Sequence, residues 1–222
     1  MTRALFDKDY FDAHTRESLP HTREIIYPLA ERTARLLCTR LHPQRALDIG
    51  CAKGFLVEAL LAGGVPSPYG TDISIYAVSA GGPGFRHRLL AADVLDGIPF
   101  RSSSFDLVTA VDVFEHLPEP EAALHEIHRV LSPKGMAYLK ICHPRHPNAH
   151  RDPTHVNVQP LAYWRRQFAN AGFSWTRVYE AEFRPRRHLK DTLKNLIVRG
   201  IEWAEIGIPA DYKLLLRKRR HG

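Results

Sequence analysis

The chain has 222 residues, 44% hydrophobic and 25% charged, a composition that fits one globular domain and excludes disordered and collagen-like classes. No apolar run reaches the ~18 residues of a membrane span, and the charged opening MTRALFDKDYFDAH has no signal-peptide core, so a cytoplasmic enzyme is expected. The net charge of +7 is concentrated after Arg184, in residues such as Arg186, Arg187, Lys190, Lys194 and Arg217 to Arg220; it reads as a solvated face, with nucleic-acid contact as the sharper alternative.

Residues 1–17 are polar with Phe6, Tyr10 and Phe11 interleaved, as in a short arm or first helix. A helix capped by Ser18 or Thr22 is expected to run to Leu41, with Ile25, Ile26, Leu29, Leu36 and Leu37 on its apolar face and His42-Pro43 as its stop. The stretch ALDIGCAKGFLVEALLA, Ala46 to Ala62, then reads as strand, small-residue turn and helix, the opening unit of a nucleotide-binding α/β sheet. Strands are expected at Tyr69–Ile73, His87–Ala92, Phe105–Val113, Met136–Cys142, Phe173–Phe183 and Tyr212–Arg219. Helices are expected at Ser74–Ala80, Pro118–Leu131, Pro160–Ala171 and, as a basic amphipathic element, Arg186–Ile206. Ser132-Pro133-Lys134-Gly135 reads as a turn, and His143–Pro160 as a long Pro- and His-rich loop that could act as a lid. Alternating strands and helices argue for a parallel sheet covered on both faces.

Acids recur where such a sheet binds ligands, at the carboxyl ends of its strands: Asp72, Asp93 and Asp112, with Asp48 inside the first strand. The turn does not suit a dinucleotide, because Ala52 and Phe55 stand where G-x-G-x-x-G needs glycines, and there is no P-loop. It fits D-x-G-x-small-x-G, from Asp48, Gly50, Ala52 and Gly54, which suits a ligand with ribose and adenine but no phosphates. An acid after the second strand can accept from both ribose hydroxyls.

At these residues the chain resembles the class I S-adenosylmethionine-dependent methyltransferases over about residues 44–143. The carrying segments are LDIGCAKG, GTDIS, AADVLDGIPF, FDLVTAVDVFEHLPEP and HRVLSPKG; one departure is Ala52, where the family most often has glycine. The resemblance implies a Rossmann-like, seven-stranded, mostly parallel sheet with helices on both faces and an antiparallel last strand, for which YKLLLRKR is the candidate. It implies one domain over 1–222: a helical arm (1–43), a cofactor-binding core (44–143) and an acceptor side (144–222). The implied cofactor is S-adenosyl-L-methionine, released as S-adenosyl-L-homocysteine. Carried over by position, Asp48 and the turn of Gly50, Cys51, Ala52 and Gly54 hold its methionine part. Asp72 takes the ribose, with Ile73 and Ser74 beside it; Asp93 and Val94 meet the adenine; Asp112 and Val113 line the floor near the sulfonium.

Transfer to a hydroxyl also needs a base, and histidine is suited near neutral pH. Among 13 histidines, His116, His143, His146 and His155 fall after the fourth and fifth strands or in the long loop. The pattern from Asp152 to Phe173 resembles a subgroup acting on sugars, polyketides or other small metabolites. His155 is the candidate base, oriented by Asp152, with His116 next; the same residues could instead only pin the loop. Tyr10, Phe11, Tyr163, Trp164 and Trp203 are candidate walls of an acceptor pocket, or ordinary core. The three scattered cysteines, Cys38, Cys51 and Cys142, form no CxxC pair, and no metal is expected. The expected partner is a small-molecule acceptor rather than nucleic acid. The competing readings are an RNA methyltransferase using the basic C-terminal region, a cofactor-binding protein without catalysis, and a nicotinamide dehydrogenase, which the glycine spacing disfavours.

Overall fold

The computed structural model describes residues 5–13, 20–178 and 211–219. The expected basic helix 186–206, Trp203, Ser18 and the end of the 173–183 strand lie outside them.

The strands are β1 (Arg45–Ile49), β2 (Ser67–Asp72), β3 (Leu89–Ala91), β4 (Phe105–Val111), β5 (Leu131–Ile141), β6 (Phe173–Arg177) and β7 (Tyr212–Lys218). They form one sheet in the order β3-β2-β1-β4-β5-β7-β6. Pairs from β3 to β5 are parallel, and β7 runs antiparallel between β5 and β6, as expected of the closing strand. The order reverses between β1 and β4, so the carboxyl ends of these two strands open a crevice.

The helices are α1 (Lys8–Asp12), α2 (Arg23–Leu41), α3 (Phe55–Ala62), α4 (Ile75–Ser79), α5 (Pro120–Val130) and α6 (Leu161–Asn170). Strand alternation sends neighbouring residues to opposite faces. Leu107 and Tyr138 therefore pack with Leu37 and Leu60 of α2 and α3. Val108 and Leu139 pack on the other side with Leu124, Ile127, Trp164 and Phe168 of α5 and α6. Complete burial of a side chain such as Leu37 or Leu124 stabilises the fold by about 1.5–3 kcal/mol.

The helix over α2 starts after Thr22 and ends at His42, whose φ of 47° reverses the chain before Pro43. One element differs in kind from expectation. Residues 132–135 are not a separate turn but part of β5: Leu131 pairs with Phe105 and Met136 with Leu107, so the extra residues leave the ladder as an irregularity. Pro133 has no amide hydrogen to give a ladder, which is why a break is placed there.

Candidate active site

The crevice at the β1 and β4 ends is a cleft of about 630 Å³. Its floor is the turn after β1. Gly50, Ala52 and Gly54 have φ of 68°, 49° and 79°. Alanine is strained there and glycine is not. The turn is tied down by Gly50 N–H and Cys51 N–H, both donating to Thr71 O at 2.8 and 3.0 Å. A Cβ on Gly50 would stand 2.4 Å from Val113 Cγ2. A Cβ on Gly54 would instead meet Leu89 and Phe85 in the core, at 2.7 and 2.9 Å.

Asp72 clasps this turn. Its Oδ2 accepts from Ala52 N–H at 2.7 Å and its Oδ1 from Ser74 N–H at 2.8 Å. Asp48 is buried beside it and accepts from Thr109 Oγ1 at 2.6 Å. Burial pushes the Asp48 carboxyl up to about 7, and raises that of Asp72 as well. Among the described residues no cationic side chain hydrogen-bonds either acid. Asp93 Oδ1 accepts from Leu95 N–H at 2.9 Å.

Asp112 follows β4 with φ of 55°, and its two oxygens accept from Lys140 Nζ at 2.8 and 2.7 Å. Lys140 also reaches Asp211 Oδ2 at 3.1 Å. Next comes Glu115, buried in the short 3₁₀ turn Phe114–His116. Its Oε1 accepts from Cys142 N–H at 3.3 Å, while Oε2 is buried without a hydrogen-bond partner among the described residues. Burial, then the charge of Asp112, pushes this carboxyl up to about 8.

His116 Nδ1 lies 3.2 Å from Thr154 O and 2.9 Å from Thr154 Oγ1. A carbonyl oxygen only accepts, so Nδ1 carries the proton and Nε2 a lone pair. The Thr154 hydroxyl gives its own proton to Asp152 Oδ1 at 2.5 Å. Burial, then His155, lowers His116 to about 4. His155 Nδ1 lies 3.1 Å from Ala149 O, which fixes the same tautomer. Asp152 is therefore hydrogen-bonded towards His116, through Thr154, and stands 3.9 Å from His155 Nε2.

The N-terminal arm roofs the cleft. Phe6 and Phe11 pack with Ala77, against which Tyr10, Ala52, Ile73 and Tyr76 also rest. Asp12 fastens the arm, accepting from Lys53 Nζ at 2.5 Å and from the Tyr76 hydroxyl.

Of the residues expected from sequence, Asp48, Gly50, Cys51, Ala52, Asp72, Ile73, Asp93, Val94, Asp112, Val113, His116, Asp152 and His155 all line this one cleft. Gly54 and Ser74 stand behind the lining: Gly54 N–H closes the turn onto Cys51 O, and Ser74 Oγ caps α4. Tyr10 and Phe11 are walls, whereas Trp164 is wholly buried in the core. The long loop is pinned by Asn157, whose N–H donates to Glu115 O and whose Nδ2 donates to Leu117 O. Sequence reading missed Lys140, for which a charged residue inside the apolar strand MAYLKIC is a usable signal. It also missed Asp211, which carries no signal.

A family model described as a methyltransferase domain matches residues 47–139. A ubiquinone biosynthesis O-methyltransferase of Paracidovorax citrulli (strain AAC00-1) is 28% identical over 107 residues, 45% of this chain and 44% of that protein. The one of Pseudomonas aeruginosa (strain LESB58) is 28% identical over 115 residues, 48% of this chain and 47% of that protein. The chain thus matches about half the length of these curated relatives. A solved SAM-dependent methyltransferase from Archaeoglobus fulgidus superposes with a TM-score of 0.66 at 19% identity, over 89% of this chain and 95% of that one. Residues 47–139 are thus similar to a methyltransferase domain, and the fold is that of the solved S-adenosylmethionine-dependent methyltransferase.

Proposed function

We propose that the protein transfers a methyl group from S-adenosylmethionine to a hydroxyl of a small-molecule acceptor, with His155 as general base. The observation that carries this reading is the buried pair Asp48 and Asp72, with no cationic side chain hydrogen-bonded to either among the described residues, in a cleft that also holds two histidines. Two such acids fit a ligand that brings its own positive charge and a diol.

When bound, S-adenosylmethionine supplies an electrophilic methyl on a sulfonium. The chain's own part is to hold and align. Asp48 and the 50–54 turn face the amino-acid end. Asp72 keeps a lone pair on each oxygen for ribose hydroxyls. Asp93 and Val94 face the adenine, and Val113 closes the floor against Gly50.

At the acceptor end the Nε2 lone pair of His155 takes the hydroxyl proton. The imidazolium so formed has the Asp152 carboxylate 3.9 Å away. His116, held neutral, does not compete for the proton. The roof of Phe6, Tyr10 and Phe11 narrows the entrance and excludes water, which favours a small acceptor over a polymer. The curated relatives are named O-methyltransferases, which favours oxygen over nitrogen.

The test is incubation with methyl-labelled cofactor and fractionated metabolite pools. Label is expected in a small, base-stable product. His155→Ala is expected to abolish labelling while cofactor affinity is kept; near wild-type labelling by that variant refutes the base assignment. Tight cofactor binding with no labelled product in any pool would favour a non-catalytic cofactor-binding protein.

A further inference from the structure

We propose that Cys142, His146 and Asp211 form a site for one divalent transition-metal ion of the zinc class, at the acceptor end of the cleft. One ligand atom from each of the three lies within 4.8 Å of the others. All three line the cleft, Cys142 buried and the other two half-buried.

The topology brings them together. Ile141 pairs with Tyr212 across the antiparallel β5–β7 ladder, so Cys142 and Asp211 occupy the next rung beyond it. A tight turn, with His146 N–H donating to His143 O at 2.8 Å, returns the His146 ring to the same end. Thiolate, imidazole and carboxylate together suit zinc better than magnesium or calcium, which take oxygen ligands. Three protein ligands leave a fourth position open towards the cleft.

A divalent ion bound there takes the Cys142 sulfur as thiolate, and the thiol proton leaves to solvent. Lys140 can release Asp211, because both oxygens of Asp112 already hold it. His146 Nδ1 accepts from Asn148 N–H at 3.2 Å, so its lone pair is on Nδ1. Ligation by Nδ1 displaces that amide, and ligation by Nε2 moves the ring proton to Nδ1; either way only this exposed turn contact is given up. Glu115, accepting from the Cys142 amide, steadies the backbone that carries the sulfur. If the acceptor is a hydroxyl compound, a point that rests on the function proposed above, its oxygen is the natural fourth ligand.

The experiment is optical and needs no turnover. Protein stripped with a chelator is titrated with Co²⁺ alone. We expect a thiolate-to-cobalt charge-transfer band that saturates at one equivalent and is quenched by Zn²⁺. Cys142→Ser should abolish the band, and His146→Ala or Asp211→Asn should weaken binding at least ~10-fold. His146 sits on a half-exposed turn, so its variant tests the site even if Cys142→Ser fails to fold. No band in the wild type, or a band that survives in Cys142→Ser, overturns the proposal. Loss of methyl transfer with an intact cobalt band would count against the function proposed above and leave the metal site standing.

Discussion

His116 and His155 meet edge to face, with ring centroids 4.8 Å apart. Two imidazolium rings at that distance repel, so the pair holds one proton more readily than two. Burial, then His155, keeps His116 the neutral ring, against the Thr154 carbonyl at its Nδ1, which favours the protonated form. In the folded protein His116 protonates only near pH 4, against an ordinary value of 6.5. Between those values the unfolded state binds the extra proton. Stability from this group is complete above pH 6.5 and falls by about 1.4 kcal/mol per pH unit towards 4. Nitrogen-detected NMR should find His116 as the Nδ1-protonated tautomer down to pH ~5. His116→Gln should gain stability relative to wild type as pH drops through that window. A His116 that titrates near 6.5 contradicts the arrangement.

Glu115 is expected to act with the opposite sign. Its folded carboxyl keeps its proton up to about pH 8, against an ordinary 4.5. The folded state therefore binds the extra proton in between, and its contribution is lost as pH rises from 4.5 towards 8. Glu115→Gln retains an acceptor for the Cys142 amide and removes the buried acid. Urea unfolding at pH 5 and pH 8 should show the variant gaining on the wild type at the higher pH, by on the order of 2 kcal/mol. Parallel pH profiles would mean that burial does not hold this acid neutral.

Cofactor binding should release a proton from Asp48. Its carboxyl sits near pH 7 because it is buried beside Asp72. A cationic ligand favours the ionised form. Calorimetry in buffers of different ionisation enthalpy should detect up to about one proton released near pH 6, and none near pH 9. Asp48→Asn should abolish the release; a variant that still releases the proton assigns it elsewhere.

The two turn glycines should fail differently. Gly50→Ala forces a Cβ into Val113 at 2.4 Å with φ of 68°, at the cleft floor. Gly54→Ala forces one into Leu89 and Phe85, away from the cleft. Each should cost about 2–4 kcal/mol of stability. Only Gly50→Ala should also weaken cofactor affinity, by at least ~10-fold, in folded protein measured below its melting temperature. Equal affinity losses would show that the turn acts as one rigid unit. Ala52 carries the same left-handed strain at φ of 49°, but its methyl packs against the arm's cluster, so Ala52→Gly should change stability by less than ~1 kcal/mol.

The sequence alone determined the alternating strands and helices and the turn after β1, whereas the antiparallel last strand was expected only from the family resemblance. The reason is local: strand, glycine turn and helix are contiguous at 45–62, and each acid sits at or just beyond its own strand end. Alternation and spacing report such short-range geometry directly. Even the misread break at 132–135 had a local cause, since Pro133 cannot give an amide to a ladder. The acceptor end was decided only by tertiary structure. Asp152 and His155 are three positions apart, yet the aspartate bonds to Thr154 and through it to His116, 36 positions earlier than Asp152. Lys140 meets Asp211, and Cys142 comes beside Asp211, because β7 inserts beside β5. Contacts between segments so distant in the chain leave no periodicity in either one, and only the antiparallel pairing of Ile141 with Tyr212 puts them on one rung.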